Sequence, residues 1–146
     1  MPRRLIARLG VQMIDVSIRV RDRDEAVHVS TSAELDRVIQ SAGEEARARD
    51  MLNIIFLDAP NGNELAMVVG GAETVLSFVY GHRDAPYYAS RGAANDPHPV
   101  MTCFVGLAHH TEFPRIYVVP YAIGLIAAHE FAETGSLPSS MEWSTV

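Results

Sequence analysis

The stretch 120–143, PYAIGLIAAHEFAETGSLPSSMEW, does most to limit what this chain can fold into. Pro120 stands where a helix can begin, because a fixed φ of about −65° and a missing N–H are tolerated at the first helical position. A segment with almost no polar side chains follows. Gly135 closes it as a left-handed cap, and Pro138 prevents continuation. Apolar residues around a whole helical circumference predict burial. The segment is too short for a bilayer, and Gly124 and His129 interrupt it. It is therefore expected to be a buried helix of about 120–134 on which a sheet packs, with Met141-Glu142-Trp143 tied down beside it. On that reading Leu125→Ala costs about 2–5 kcal/mol.

A second helix is signalled by its cap. Thr31-Ser32-Ala33-Glu34 has capping-box spacing: the Thr31 hydroxyl can accept a backbone N–H, and Glu34 can reach back. Leu35, Val38, Ile39, Ala42 and Ala46 then form one apolar stripe at helical spacing, while Asp36, Arg37, Glu44 and Arg49 face away. Glu45 and Arg49 are in the favourable order for an i,i+4 ion pair. The spacing predicts an amphipathic helix over about 32–49, weakened at Gly43 by about 1 kcal/mol relative to alanine.

The remaining chain reads as strands. In Val11–Val20 the apolar positions alternate, with Ile14, Val16 and Ile18 on one side and Met13 and Asp15 on the other. After the charged turn 21–24, Ala26–Ser30 is a return strand. Met51–Ala59 and Glu64–Val69 flank the turn Pro60-Asn61-Gly62-Asn63. Glu73–Tyr80 alternates as one further strand, and Met101–Leu107 and Arg115–Val119 read as two more. Gly81–Pro99 is expected to be an irregular loop around Tyr87-Tyr88, and His109–Pro114 a turn. Short connections favour an antiparallel meander, and helices interspersed with runs of strands give an α+β class. At 146 residues one domain is expected, long enough for a real core: 13–146, with 1–12 as an N-terminal arm. The start has no apolar run of signal-peptide length, so the cytoplasm is the default.

Charge divides the chain. Residues 1–23 carry six arginines against Asp15 and Asp22; the remainder carries six arginines against sixteen acidic residues, a net of −10. Such a surface repels a phosphate backbone, which excludes ordinary nucleic-acid binding, and it attracts a basic partner. The single cysteine, Cys103, in an apolar run, allows no internal disulfide and no cysteine-built metal site.

The reacting groups of an enzyme are hard to find. None of the histidines, His28, His82, His98, His109, His110 and His129, sits in an H-E-x-x-H setting. His109, His110 and Glu112 could offer two nitrogens and an oxygen to a metal, the basis of an alternative reading as a small metal- or ligand-binding enzyme. Adjacent histidines on an extended segment point to opposite faces, however. His129, inside the apolar helix, reads as a hydrogen-bonded core histidine. No serine stands in G-x-S-x-G, and Gly70-Gly71 is followed by no phosphate-loop lysine, the chain having no lysine. No catalytic set emerges, and no cofactor is expected.

Toward the C-terminus the order of residues resembles a known family. His110-Thr111-Glu112-Phe113-Pro114, then Val119-Pro120, then Ala128, Phe131, Thr134-Gly135, Pro138 and Trp143 are similar to bacterial polymorphic-toxin immunity proteins, specifically the first-numbered immunity family. Pro86-Tyr87-Tyr88 with Ser90 and Gly92 fits the family's middle loop. The resemblance implies a small α+β protein that is no enzyme. It would bind and neutralise one cognate secreted toxin domain, often a nucleic-acid deaminase, as a monomer in a 1:1 complex. Glu112, Glu142 and Trp143 sit at family-like positions. Trp143 can be an interface anchor or a core residue closing the sheet on the helix. The loop bearing Asp84, Tyr87, Tyr88, Arg91 and Asp96 is the expected contact surface, since loops tolerate specialisation and tyrosine binds at low entropy cost; its tyrosines could equally pack the loop down. Were Ala122–Phe131 exposed instead, the helix would be an oligomerisation surface.

Overall fold

The computed structural model describes residues 13–20, 25–93, 100–104 and 110–146. The arm 1–12, Asp96, His98 and His109 lie outside the described residues, as do the side chains of Cys103 and His110.

Strands β1 (Met13–Arg19) and β2 (Val27–Thr31) form an antiparallel pair in which Val16 faces Val29 and Ile18 faces Val27. Helix α1 (Ser32–Ala48) follows without a linker. Its Thr31 cap is as expected on one side: Thr31 Oγ1 accepts from the Glu34 N–H at 3.2 Å. Glu34 does not return to the Thr31 backbone; its carboxylate accepts the hydroxyls of Ser30 and Thr31 instead. Leu35, Ile39, Ala42, Gly43 and Ala46 are buried, and Glu45 pairs with Arg49 at 3.4 Å.

β3 (Asn53–Asp58) and β4 (Glu64–Val69) pair from Asn53↔Val69 to Asp58↔Glu64 around the Asn-Gly turn, where Gly62 takes a φ of 89°. The expected single strand 73–80 is two. β5 (Glu73–Thr74) leaves the main sheet to pair with β10 (Val119–Pro120), and β6 (Leu76–Val79) joins β4. Both the N–H and the C=O of Val68 explain the break at Val75: they bond to Val75 O and to the Thr74 hydroxyl, at 3.1 Å and 2.7 Å.

The expected loop 81–99 contains a strand, β7 (Tyr87–Ser90), which continues the meander beside β6. Pro86, Asp84 and Gly81 punctuate the turn before it, but Tyr-Tyr-Ala-Ser has strand propensity that the surrounding turn residues mask. The expected turn 109–114 is also a strand, β9 (His110–Pro114), antiparallel to β8 (Val100–Phe104). Arg115–Tyr117 is a 3-10 turn, so the expected strand 115–119 survives only as β10. The last strand, β11 (Trp143–Thr145), pairs with β7.

The main sheet runs β11-β7-β6-β4-β3-β1-β2, with β8 joining β3 in parallel through Asn53↔Phe104 and carrying β9. Antiparallel pairing dominates and both helices lie on one face, an α+β sandwich as the sequence indicates. Among the described residues, no helix is long and apolar enough to cross a membrane.

Helix α2 (Tyr121–Thr134) departs from expectation in its surroundings. Pro120 is its N-cap rather than its first residue, and Gly135 caps it in the left-handed region at φ 68°. It is not buried all round. Gly124, Ala127, Ala128, Phe131 and Ala132 meet the sheet, but Ile123 and Ile126 are 41% and 59% exposed. Leu125 is half-buried, which reduces the loss expected from Leu125→Ala. The reason is architectural: in a two-layer sandwich a helix has one covered face, whatever its sequence offers on the other. Gly124 sets the closeness of approach, since a Cβ there would lie 2.4 Å from Thr74 Cγ2 and 2.8 Å from Leu76 Cδ1.

The core joins Ile14, Val16, Ile18, Leu57, Met67 and Phe78 of the sheet to Leu35 and Ile39 of α1 and Phe131 of α2. On the opposite face a smaller cluster of Ile54, Val68, Val75 and Val118, flanked by Phe56, Phe113 and Tyr117, covers only part of the sheet. Among the described residues, no helix lies on the rest of that face.

Candidate functional site

The residues singled out in the sequence do not form one patch. Strand register separates them. Asp58↔Glu64, Glu64↔Val79 and Val79↔Tyr87 place Tyr87 at the end of the sheet where β3 and β4 turn. Asp84, in the loop leading there, is exposed, with its N–H on His82 Nδ1 at 3.0 Å. Arg91 and Glu142 lie at the far end of β7, joined by Arg91 N–H to Glu142 O at 3.0 Å. Glu112 is exposed on β9 opposite Thr102, beyond the Asn53 end of β3 and thus also far from the turn. Asp96 lies outside the described residues.

Two of the candidates are packed inward. Tyr88 faces Phe78 in the register and packs against the core, its ring 6.3 Å from Phe78 and 6.2 Å from Tyr80. Burial there holds its phenol above the usual range. Trp143 is half-buried against the same core, and its indole N–H donates to Pro138 O at 2.7 Å. The core alternative for Trp143 therefore describes its packing. Tyr87 is the outward member of the pair, 38% exposed, and its hydroxyl donates to Arg83 O at 2.9 Å.

Around Tyr87 the face opposite α1 and α2 carries a charged network that no local spacing in the sequence signals. Arg19 Nε donates to Asp58 Oδ2 at 2.8 Å, and Arg19 Nη2 also reaches Glu64. Those carboxylates hold the guanidinium pKa up, with the Asp58 hydrogen bond the largest cause, although partial burial opposes it. Glu64 extends to Arg83 at 3.6 Å, and Arg19 lies 4.8 Å over the Phe56 ring. Arg83 itself sits at φ 65°, and its N–H donates to Tyr80 O at 2.9 Å. A trace existed in the alternation of β1: Asp15, Ser17 and Arg19 share the side opposite Ile14, Val16 and Ile18. Nothing local in the sequence pairs Arg19 with acids 39 and 45 residues away.

The same end of the molecule is braced by asparagines. Asn61 and Asn63 both donate to Gly135 O, at 3.0 Å and 2.8 Å, and Asn63 Oδ1 accepts from the Gly81 N–H at 2.8 Å. The β3–β4 turn, the loop before β7 and the end of α2 are thus hydrogen-bonded into one rim. Beside it lies a groove bounded by the start of β1, that turn and the end of α2.

For catalysis the described residues offer little. Among them no group of three His, Cys, Asp or Glu is placed to hold a metal. Of the His109/His110/Glu112 set, His109 and the side chain of His110 lie outside the described residues. His129 is hydrogen-bonded as expected, but between helices: Nε2 meets Asp36 Oδ1 at 2.6 Å and Nδ1 meets Ser32 Oγ at 3.2 Å, with the ring 21% exposed. Ser32, His129 and Asp36 bring a hydroxyl, an imidazole and a carboxylate together. Asp36 is 58% exposed, however, and the contact does the work of a strut between α1 and α2. What the arrangement can do is present a shaped, charged surface to a partner.

The family model for immunity protein Imm1 matches residues 23–145. No curated protein matches the chain at a significant level.

Proposed function

The chain belongs to the Imm1 family of immunity proteins, and from that premise we propose that it neutralises a cognate secreted toxin domain by covering that domain's active site. Membership implies a binding role rather than turnover. The match over residues 23–145 carries the proposal, and the charge of the chain sharpens it. Outside residues 1–23 six arginines stand against sixteen acidic residues. A toxin domain that handles DNA or RNA, a deaminase in the pairing the resemblance implies, needs a cationic groove for phosphates. A negative, rigid surface competes for that groove and hastens encounter by complementary potential. The complex is 1:1, formed in the cytoplasm of the producing bacterium as part of a polymorphic toxin system, and requires no cofactor and no direct contact with nucleic acid.

The contacts are assigned first to Tyr87 and Asp84, exposed beside the Arg19–Asp58–Glu64 network. Arg91, Glu142 and Glu112 form a second, more distant set, and Tyr88 and Trp143 support the surface from below.

The test is to express the toxin domain encoded beside this gene with and without the chain. Survival of the cells and co-purification of equimolar complex are expected. Growth arrest unaffected by the chain, with no complex on a sizing column, rejects the proposal. If excess single-stranded nucleic acid fails to slow complex formation, inhibition does not occur by covering the active site.

A further inference from the structure

We propose that the groove between β1, the β3–β4 turn and the end of α2 receives a basic side chain, an arginine in the favoured case, from the toxin domain; this rests on the reading that the chain binds such a domain. The groove encloses about 570 Å³. Met13, Ile14, Ala59 and Ala132 supply apolar wall, and Asp15 and Glu133 supply the charge. Ile14, Ala59 and Ala132 are buried, whereas Asp15 and Glu133 line the groove and are exposed.

Three observations point to a cation with an aliphatic stem. Among the described residues, no arginine or histidine lines the groove. The last turn of α2, which forms one wall, contains no basic residue, and the donors that reach Gly135 O are the neutral amides of Asn61 and Asn63. Among the described residues, no cation therefore meets the negative pole of the helix there. The apolar wall suits the methylenes of a long basic side chain whose head stays at the carboxylates. Among the described residues, His28 Nε2 bonds Asp15 Oδ1 at 2.8 Å, and a second carboxylate oxygen can accept from a guanidinium. Arginine is favoured because its planar fork can engage two acceptors at once. Domains that bind nucleic acid carry such residues in quantity. The groove shares Asn61 and Gly135 with the asparagine-braced rim, which joins it to the loop before β7.

Binding of the purified toxin domain to the full chain decides the matter. An Asp15→Asn, Glu133→Gln double variant is expected to weaken the complex at least tenfold, chiefly through faster dissociation. Pro60→Arg, which brings a cation to the exposed mouth, is expected to weaken it too. Glu44→Gln on α1 serves as the control for loss of an exposed acid and leaves affinity within twofold. Unfolding midpoints matching the wild type show that both groove variants are folded. Wild-type affinity in both groove variants overturns the inference while leaving the functional proposal standing. Failure of the wild type to bind ends both. Tighter binding on replacing Arg3, Arg4 and Arg8 together by Gln would mean that the chain's own arginines compete for the groove, and that also overturns the assignment to the toxin.

Discussion

The two helices bury similar stripes from very different sequences. In α1 the buried positions Leu35, Ile39, Ala42 and Ala46 alternate with charged residues, and the exposed face is polar. In α2 the buried positions are mostly small, Gly124, Ala127, Ala128 and Ala132, around one large anchor, Phe131. Its outer face holds Ile123 and Ile126. α1 therefore announces its orientation, whereas α2 records only that it lies close to the sheet. Small residues let a backbone approach, and an apolar outer face says nothing about which side is in. The difference shows that amphipathicity reports two independent demands, those of the core and those of the outer surface.

The largest test of this contrast is removal of each helix's anchor. Phe131→Ala is expected to cost about 3–5 kcal/mol, and Leu35→Ala about 2–5, both being fully buried. Urea unfolding measures both. A loss below about 1 kcal/mol at Phe131 would mean that α2 is not held by its inner face.

The glycines should separate the helices by sign. Gly124→Ala forces a methyl against Thr74 and Leu76 and is expected to destabilise by about 1–3 kcal/mol despite better helix propensity. At Gly43 the nearest atoms lie 3.8 Å from a built Cβ, so Gly43→Ala is expected to stabilise by about 0.5–1 kcal/mol. Equal signs in thermal unfolding would erase the distinction.

Next in size are the helix ends. Thr31→Ala removes the α1 cap and should cost about 1 kcal/mol. α2 has no side-chain cap at its start, but Glu130 near its end accepts from the Ser139 N–H and hydroxyl and from the Ser140 N–H. Burial alone would raise the Glu130 pKa; those donors outweigh it and hold it below the usual 4.5. With the folded-state pKa depressed, the stabilisation is present above 4.5 and disappears as pH falls through the folded value. The difference in melting temperature between wild type and Glu130→Gln should therefore shrink on going from pH 6 to pH 3, by a small amount because water screens the site. A difference that grows on acidification would contradict the assignment.

The smallest effect belongs to the outer face of α2. Ile126→Ala is expected to change stability by less than about 0.5 kcal/mol. A larger loss would mean that something covers this face, and sedimentation would show whether a second copy does.

Where local rules act, the sequence was readable: the Thr31 cap, the Asn61-Gly62 turn and the Gly135 cap each fix their backbone within a few residues. It misled where partners are distant. β7 reads as loop because Pro86 and Gly92 flank it, and only pairing with β6 and β11 makes it a strand. β9 is similar, paired among the described residues with β8 only. Of the candidate site, the outward turn of Tyr87, the inward turn of Tyr88 and the Arg19–Asp58–Glu64 network all needed tertiary contact. Asp15 and Glu133 share a groove although they sit near opposite ends of the chain.

β3 has an unusual number of neighbours for one short strand: β4 along its whole length, β1 at Phe56–Asp58 and β8 at Asn53. Its amides are thus the last to trade hydrogen for deuterium in heavy water, while those of the marginal strands go early. Assembly of that centre also brings together segments far apart along the polypeptide, which sets a slow pace for renaturation after dilution from denaturant.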